Sequence, residues 1–393
     1  MLSTPNTRAT PDADVVIVGA SFAGLAAART AAMRGLRVIV IDTLPGPGAR
    51  IHTTGILVRE AVDEIDIPWR LTRSVPGVRL YAPSLRSVDL FAPGYAFFTT
   101  RTAGLLRWMA DEAEAAGATI LWNHRFTGAG HAQGLVRLDG SGLTARYLIG
   151  ADGARSRVAR AFGLGRNHRH LLGVELEFAP DSAVDARFLH CFANSCFAPG
   201  YIAWAAPGPD TIQVGLAVSR GRPNIAAFLA ATEDRFGWSR MKVVGQRGGI
   251  IPSGGLVAPA AAERVMLIGD AAGWVSPATG GGIRLAFRWG RRAAALLADH
   301  FQCGGPDPAE ALARELPRFR LKLMMRRLLE FAPPNAVLDL VLGTAPMRSL
   351  AERVYFHRRG GNGDRATFVA WLEGQRTAAG DERGGPATRD LLR

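Results

Sequence analysis

The sequence predicts an α/β chain (α+β overall): a dinucleotide-binding domain with a parallel sheet, an inserted antiparallel-sheet domain and a helical C-terminal region. Three observations predict this organisation. A glycine-rich turn follows the wholly apolar run Val15–Val18. Two further glycine–aspartate turns follow apolar runs near residues 150 and 270, and short β-prone runs separated by turn residues lie between them. A chain of 393 residues is also long enough for two joined domains.

The first element is a βαβ unit over residues 14–42. Val15–Val18 is a short apolar run, as expected of a strand buried on both faces of a parallel sheet. A glycine-rich turn, an alanine-rich helix and a second apolar strand follow, and Asp42 ends that second strand about twenty residues past the turn. This order is typical of a Rossmann-like dinucleotide-binding unit, in which the terminal acid binds a ribose.

The turn of this unit has the properties that a bound pyrophosphate needs. Gly19 allows a tight turn and Gly24 lets helix and strand pack closely. Ser21 stands where the motif usually has its middle glycine, and its small side chain still permits close approach of the backbone. The start of the helix then offers N–H groups to the phosphate oxygens.

Composition narrows the class of protein. A formal charge of +13 fits a nucleic acid, a membrane surface or an acidic ligand as partner, but no nucleic-acid-binding module is present, so we expect no nucleic-acid partner.

Residues 1–13 are predicted to be a flexible tail and lack the pattern of a signal peptide. Three cysteines fit a reducing compartment. No apolar run approaches the length of a membrane span, so we predict a cytoplasmic protein, with peripheral contact to the inner membrane face as a further expectation.

The middle of the chain returns to the nucleotide-binding sheet. Arg50 follows a Gly/Pro-rich loop, and a contact to a bound cofactor and a solvated loop charge are equally compatible with its position. Arg101 precedes an amphipathic helix at Thr102–Ala116. The strand Leu143–Ile149 then runs into a turn that contains Asp152, at a strand end where ligand groups gather in open α/β sheets.

Strand-like segments predominate after this turn, and their spacing suits an antiparallel sheet separate from the nucleotide-binding domain. They are Gly173–Phe178, Arg187–Phe192, Tyr201–Ala205 and Thr211–Val218, with a helix at Pro223–Phe236 lying on them. The predicted domains are 14–67, 101–165 and 247–305 for the discontinuous nucleotide-binding domain, 68–100 and 166–246 for the sheet domain, and 306–393 for the helical C-terminal region with a loose tail.

The third motif lies where the chain enters the nucleotide-binding domain for the last time. The apolar run Val265–Ile268 leads into Gly269-Asp270, and Pro277 and Gly280–Gly282 precede a long helix at Ile283–Ala298. Glycine N–H groups at the positive end of a helix dipole are well placed to bind a ligand. An aspartate directly after the strand suits a hydroxyl group, because it would repel a phosphate.

In this order the three motifs resemble the FAD domain of the glutathione-reductase-like flavoproteins, in the branch of the para-hydroxybenzoate hydroxylase type. Within that branch, GDAAGWVSPATGGGI and the preceding GGIIPSGG are most similar to the geranylgeranyl reductases. The resemblance implies FAD, with Asp42 at the adenosine ribose, Arg101 along the cofactor and Asp270 at its ribityl or pyrophosphate region. It also implies that the N–H groups of Gly280–Ile283 face flavin N1 and O2, where a positive dipole stabilises the anionic reduced flavin.

The predicted cofactor-binding residues are Gly19, Ser21, Phe22, Ala23, Gly24, Asp42, Arg50, Arg101, Asp152, Gly269, Asp270, Pro277, Gly280, Gly281, Gly282 and Ile283. No catalytic residue is identified. The sequence shows no separate nicotinamide-binding βαβ unit, so NADPH or NADH is expected to visit transiently or to be replaced by a protein donor. The eight histidines show no ligand spacing with the cysteines, so no metal site is expected.

Two regions separate the reductases from their relatives. Hydroxylases of this fold usually carry a histidine after GDAA, where this chain has Gly273. The reductases carry an aromatic–Trp–Phe–Pro element followed by a Gly-x-Gly strand. Trp204, Pro207 and Gly215 match that element, whereas Ala206 replaces its phenylalanine and an alanine replaces its second glycine.

The first hypothesis is therefore an FAD-dependent reductase that delivers hydride to a C=C bond of a small apolar, isoprenoid-like substrate in a tunnel beside the antiparallel sheet. Its candidate lining residues are His190, Phe192, Phe197, Tyr201 and Trp204, although aromatic residues in a sheet more often belong to the core. The alternative is an FAD-dependent monooxygenase acting on an aromatic or polyketide-type substrate in secondary metabolism. A third hypothesis is a flavoprotein that uses FAD without net redox turnover.

The segment Pro317–Phe331 is apolar on a broad face and basic on the remainder. Most helices of this kind cap a domain with the apolar face inward. The alternative is a basic amphipathic helix that contacts a membrane surface, and the C-terminal helices are thus the predicted place of such a contact.

Overall fold

The computed structural model of the chain describes residues 10–356, which divide into two compact units. Unit 1 contains the residues up to 55, residues 101–173 and residues 247–329. Unit 2 contains residues 56–100, 174–246 and the residues from 330 onward. Residues 1–9 of the tail predicted at 1–13 and the predicted loose C-terminal tail lie outside the described residues, whereas Ala13 begins the first strand and is not part of a tail.

Eighteen strands and ten α-helices occur between residues 10 and 356. The strands are β1 Ala13–Val18, β2 Val38–Ile41, β3 Ile56–Leu57, β4 Thr72–Val75, β5 Gly77–Tyr81, β6 Ser87–Phe91, β7 Phe97–Thr100, β8 Thr119–Leu121, β9 Ala129–Ala132, β10 Leu135–Leu138, β11 Thr144–Gly150, β12 His170–Phe178, β13 Phe188–Phe192, β14 Ala203–Pro207, β15 Ile212–Val218, β16 Val243–Pro252, β17 Ala261–Ala262 and β18 Val265–Leu267. The helices are α1 Phe22–Met33, α2 Arg59–Glu64, α3 Thr102–Ala115, α4 Arg157–Ala161, α5 Ile225–Phe236, α6 Ile283–Cys303, α7 Pro308–Glu315, α8 Arg320–Glu330, α9 Asn335–Val341 and α10 Ala345–Phe356.

Unit 1 is built on a sheet with the strand order β17-β18-β11-β1-β2-β8, and β9 and β10 extend it from β11. The pairs β18–β11, β11–β1, β1–β2 and β2–β8 are all parallel. Val15, Val16 and Ile17 of the central strand are fully buried, as the continuous apolar run predicts for a sheet covered on both faces.

Helices α1 and α6 pack against each other in unit 1. Gly290 of α6 lies so close to α1 that a Cβ at this position would approach the Ala23 carbonyl oxygen to 2.7 Å. Phe22 and Phe287 meet edge to face, with ring centroids 5.5 Å apart. This contact fixes the start of α1 relative to α6 through both backbone and ring packing.

Unit 2 contains a sheet with the strand order β16-β12-β15-β14-β13-β5-β6 and a smaller one with the order β3-β7-β4. The pairs β13–β14, β14–β15 and β5–β6 are antiparallel, but β5 and β13 run parallel, from Gly77 opposite Phe188 to Tyr81 opposite Phe192. The prediction of an antiparallel sheet is therefore wrong for this pair. A parallel pair needs a long connection, and the chain between β5 and β13 supplies one.

The two faces of the larger sheet have separate cores. On one face α5 covers an aromatic cluster that includes Phe178, Phe192, Phe228 and Trp238. On the other face Leu189 and Cys191 pack in a cluster with Tyr95, Phe97 and Phe356 of α10. Because side chains alternate along a strand, neighbouring residues of β13 enter different clusters.

The unit boundaries differ from those predicted at three places. Residues 56–67 belong to unit 2, because β3 pairs with β7. Residues 166–173 belong to unit 1, where the Asn167 side chain bonds Gly254 and Gly255. The helical C-terminal region is divided, with residues 306–329 in unit 1. In the described part of the chain no helix has the length and apolar character needed to cross a membrane.

Candidate functional site

Four strand ends meet at one edge of the unit 1 sheet. Val18 at the end of β1 lies opposite Ile41 of β2 and Gly150 of β11, and Gly150 lies opposite Leu267 of β18. Because these strands are parallel, the turns that follow them emerge on the same side. The structure thereby brings together the turns of all three sequence motifs.

The first turn is closed by main-chain contacts that exclude larger residues. Gly19 has a φ of +108°, and a Cβ there would collide with the Ala151 carbonyl group. A Cβ at Gly24 would collide with the carbonyl oxygen of Gly19. Glycine is therefore required at both positions for the turn to close and for α1 to pack against it, as the glycine pattern predicts.

Asp42 ties this turn to the end of β2. Its Oδ2 accepts a hydrogen bond from the Ala20 N–H at 2.7 Å, and its Oδ1 accepts one from the Leu44 N–H at 2.8 Å. Each carboxylate oxygen has two lone pairs, so one acceptor position remains on each for a hydroxyl group of a ligand. Asp42 is thus fixed in place and still able to bind a ribose.

Two helices begin at this edge without a side-chain cap. The N-cap residues are Ser21 for α1 and Gly282 for α6, and neither accepts a hydrogen bond from the helix. By contrast, Ser156, Asn224 and Asp307 cap α4, α5 and α7 through their side chains. The first N–H groups of α1 and α6 are consequently open to electron-rich atoms of a ligand.

Asp270 stands in the turn after β18, close to the start of α6. A Cβ built on Gly282 would lie 3.5 Å from its Oδ1. Burial raises the pKa of Asp270 to about 6, and among residues 10–356 no hydrogen bond to its carboxylate opposes that effect. Asp270 is partly buried, and a carboxylate in that position without a partner is costly, so a ligand hydroxyl would satisfy it.

Ser276 is a second buried group without a partner at this place. Its Oγ makes no hydrogen bond to any described residue, although the side chain is only 5% exposed. Its loop is closed by bonds from the Ser276 N–H to the Gly281 carbonyl, 3.0 Å, and from the Gly280 N–H to the Ser276 carbonyl, 2.9 Å. The buried Pro277 lies within the same loop.

The Asp152 side chain makes three hydrogen bonds within the protein. Its carboxylate accepts hydrogen bonds from Ser156 Oγ at 2.6 Å and from the N–H groups of Arg157, 2.6 Å, and Val158, 3.1 Å. Burial raises its pKa, and these three bonds oppose the rise. The side chain thus closes the start of α4, and its contact with the cofactor stays a prediction.

Arg50 and Arg101 both have exposed side chains. Arg50 lies in the loop after β2, and Arg101 is the residue before α3. Their contacts to a cofactor remain predictions.

In unit 2, three of the five candidate lining residues belong to the core beneath α5: His190, Phe192 and Phe197. His190 Nδ1 accepts from the Tyr81 hydroxyl, and its Nε2–H donates to the Asp185 carbonyl, both at 2.9 Å. Burial lowers its pKa to about 4, so it is a neutral, satisfied histidine at neutral pH. His190 and Phe192 point toward α5 from β13, and Phe197 packs against Phe228 of α5, so all three are packed as core residues and their contact with an acceptor stays a prediction.

Trp204 lies on the opposite face of the sheet. Its Nε1–H donates to Glu175 Oε2 of β12 at 2.8 Å. The indole passes over Gly215 of β15, where a Cβ would approach Trp204 Cζ2 and the Val174 carbonyl oxygen to 2.7 Å. The absence of a side chain at Gly215 and the carboxylate of Glu175 together hold the ring against the sheet.

The same face carries a second group of polar atoms. The Cys191 thiol and the Tyr355 hydroxyl are hydrogen-bonded, and burial raises the pKa of Cys191 to about 11. Burial likewise raises the pKa of Tyr355 well above its usual value, and the half-buried Tyr201 lies near enough to add to that rise. Both groups are therefore protonated at neutral pH.

Comparison with known proteins identifies the family to which the chain belongs. The sequence matches the FAD binding domain family over residues 101–307 and an NAD(P)-binding Rossmann-like domain over residues 17–75. It is 31% identical over 333 residues to a digeranylgeranylglycerophospholipid reductase of Methanothrix thermoacetophila, covering 77% of this chain and 82% of that protein. The chain belongs to the geranylgeranyl reductase family of FAD-dependent oxidoreductases.

Two further similarities extend over more of this flavoprotein. A menaquinone reductase of Mycolicibacterium smegmatis is 30% identical over 389 residues, covering 89% of this chain and 93% of that protein. The crystal structure of a geranylgeranyl bacteriochlorophyll reductase-like protein from Thermoplasma acidophilum matches with a TM-score of 0.77 at 21% identity, covering 88% of this chain and 97% of that one. The second similarity supports the fold.

The residues of unit 1 fit FAD. Two uncapped helix starts suit the pyrophosphate and the flavin edge, and Asp42 retains acceptor positions for the ribose. Partly buried Asp270 and buried Ser276 supply oxygens that lack partners within the described chain and suit the hydroxyl groups between those ends.

Sequence reasoning missed two residues of these sites. Ser276 is an ordinary residue type between Val275 and Pro277, and only its burial without a partner distinguishes it. Glu175 left a weak signal, because it is an acidic residue within the largely apolar strand β12.

Proposed function

We propose that this flavoprotein reduces a C=C bond in the polyprenyl chain of a lipid. When bound, FAD supplies hydride transfer. The observation that carries the proposal is the similarity to two reductases named for digeranylgeranylglycerophospholipid and menaquinone, lipids that share a polyprenyl chain. An alignment over 89% of the chain necessarily includes both units, so the similarity extends beyond the cofactor-binding part.

The chain's own residues supply binding and orientation. In unit 1 the open N–H groups at the start of α6 stabilise negative charge. Asp270 accepts hydrogen bonds from ligand hydroxyls, and Ser276 can accept or donate them. In unit 2 we assign to Trp204 the role of a flat apolar surface against which a polyprenyl chain lies. Glu175 positions the indole through the 2.8 Å hydrogen bond.

For the reductant we propose NADPH or NADH that binds transiently, with a protein donor as the alternative. The Rossmann-like match at residues 17–75 coincides with the βαβ unit to which we assign FAD. The nicotinamide cofactor would then use no dedicated βαβ unit of its own.

The test is anaerobic reduction of the purified protein by NADPH or NADH, followed by mixing with air or with a geranylgeranyl phospholipid in detergent micelles. We expect slow reoxidation of the reduced flavin by air and faster reoxidation by the lipid, with a product that has gained two hydrogen atoms per C=C bond. Fast reoxidation by air with oxygen incorporated into an aromatic substrate would instead favour a monooxygenase. Product formation without consumption of the reductant would favour a flavoprotein without net redox turnover.

The role of Trp204 is tested in the same assay. Trp204→Ala is expected to slow lipid-driven reoxidation at least about tenfold, because a large buried aromatic contact is lost, while the FAD content stays unchanged. Trp69→Ala is the matched control, since this tryptophan of unit 2 is 85% exposed. Equal rates in both variants would remove Trp204 from the acceptor site.

A further inference from the structure

Helix α8 presents its apolar residues to solvent. Leu321, Met324 and Leu328 are 65%, 54% and 60% exposed. Their spacing of three and four residues puts them on one face of the helix. We call these three residues the α8 stripe; all of them belong to unit 1.

The opposite side of α8 is buried and contains a basic residue. Arg326 is 1% exposed, and Leu323 packs against Gly255. A helix that only caps a domain has the reverse arrangement, with apolar residues inward and arginines in water. The capping interpretation of this segment therefore does not account for the α8 stripe.

The surroundings of the stripe are positively charged. Arg318, Arg320 and Arg327 are exposed, and helical spacing puts Arg320 and Arg327 on one flank of the stripe. Burial, and to a smaller extent the positive charge of the nearby Arg284, lower the pKa of Lys322. The sequence contains no acidic residue between positions 316 and 329.

We propose that the α8 stripe docks onto the surface of an anionic phospholipid bilayer. The three apolar side chains would enter the boundary between headgroups and acyl chains, while the flanking arginines bind lipid phosphates. Charge favours this occupant over a second copy of the chain, because a two-fold symmetric contact would bring two sets of arginines together. The proposal does not depend on the substrate of the enzyme.

The test is co-sedimentation of the full-length, FAD-loaded protein with vesicles, without substrate or reductant. We expect binding to phosphatidylcholine vesicles that contain phosphatidylglycerol, weaker binding at high salt and little binding to phosphatidylcholine alone. Leu321→Gln, Met324→Gln and Leu328→Gln combined should abolish binding. Arg320→Gln and Arg327→Gln should each weaken it about fivefold.

Met33→Gln is the matched control, because Met33 is an apolar residue of unit 1 that is 64% exposed and lies outside the stripe. Retained FAD in each variant shows that the protein is folded. Three results would overturn the proposal: no binding of the unaltered protein to anionic vesicles, equal binding by the triple variant, or a dimer of the unaltered protein that the triple variant dissociates. Binding that appears only after removal of residues 357–393 would also overturn it, since the stripe would then be covered by the chain itself.

Discussion

Asp152 and Asp270 follow neighbouring strands of the same parallel sheet, in similar glycine-containing turns. Burial raises the pKa of both. Asp152 nevertheless receives three hydrogen bonds from the start of α4, whereas within residues 10–356 none reaches Asp270. The position at a strand end is therefore common to a structural and a ligand-binding aspartate. The two aspartates are distinguished by whether the carboxylate already has hydrogen-bond partners within the protein.

The same distinction applies to helix starts and to other buried polar groups. α4 is capped by Ser156, while α6 begins at Gly282 without a side-chain cap. His190 has both ring nitrogens bonded, while the Oγ of Ser276 has no partner among the described residues. Polar groups without a hydrogen-bond partner among the described residues lie at the cofactor edge of unit 1. Polar groups that have such partners stabilise the helices and strands in which they lie.

The largest effect is expected for Asp270→Ala. This variant loses the hydrogen bonds that the partly buried carboxylate accepts from FAD hydroxyls, each worth about 1.5–3 kcal/mol, so the Kd for FAD should rise at least about 100-fold. Flavin absorbance per protein and titration of the apoprotein with FAD measure the change. A variant that purifies with a full complement of flavin would show that Asp270 is not an open ligand group.

Gly281→Glu tests the helix start opposite Asp270. A Cβ at Gly281 would lie 3.4 Å from Thr279 Oγ1, so the substitution fits the fold, but a carboxylate at the start of α6 would repel an electron-rich flavin edge. We expect FAD retention to be lost at an unchanged melting temperature of the apoprotein. Gly130→Glu, where a Cβ meets no atom within 4 Å, is the control. Retained FAD would contradict the placement of the flavin.

The raised pKa of Asp270 predicts a pH-dependent stability of the apoprotein. Its pKa rises from 3.8 in the unfolded chain to about 6 in the folded one, so the folded state binds the proton more tightly and gains stability as the pH falls between these values. Above about pH 7 the charged, partly buried carboxylate should make the apoprotein about 2–3 kcal/mol less stable than Asp270→Asn. The difference should vanish near pH 4 and reverse sign at neutral pH once FAD is bound. Urea unfolding at several pH values measures it, and a constant difference would contradict the prediction.

The smallest effect is expected for Asp152→Ala. Loss of the bonds to the start of α4 should lower the free energy of unfolding by about 1–2 kcal/mol, as for other lost helix caps. FAD affinity should change less than about threefold, because the carboxylate is already occupied within the protein. Asp152→Asn, which can still accept one of these bonds, should be intermediate in stability. A loss of FAD comparable to that of Asp270→Ala would remove the distinction between the two aspartates.

Local patterns predicted much of unit 1 correctly. The apolar runs of β1 and β2, the glycines between them and the long helix after Gly282 depend on neighbours in sequence, so their positions are readable from residue spacing. The turns were also correctly expected at the carboxyl ends of strands. The task of Asp152 was not readable, because it depends on which atoms its carboxylate meets in three dimensions.

Features that depend on contacts between distant parts of the sequence were harder to predict from the sequence. The parallel pairing of β5 with β13 joins segments more than a hundred residues apart, as in Tyr81 opposite Phe192. The same pairing decides which face each β13 residue occupies, and hence that His190 is buried against Phe236. The orientation of α8 was hidden for a related reason: its pattern shows two faces, and only packing shows that the side of Arg326 points inward.

The contact between Gly290 and Ala23 also bears on the geometry of the cofactor site. At this point α6 lies against the main chain of α1 without an intervening side chain. A larger residue at position 290 would push the two helices apart and displace their open starts from one another. The affinity for a cofactor that contacts both starts would then depend on the size of a single residue in the middle of a helix.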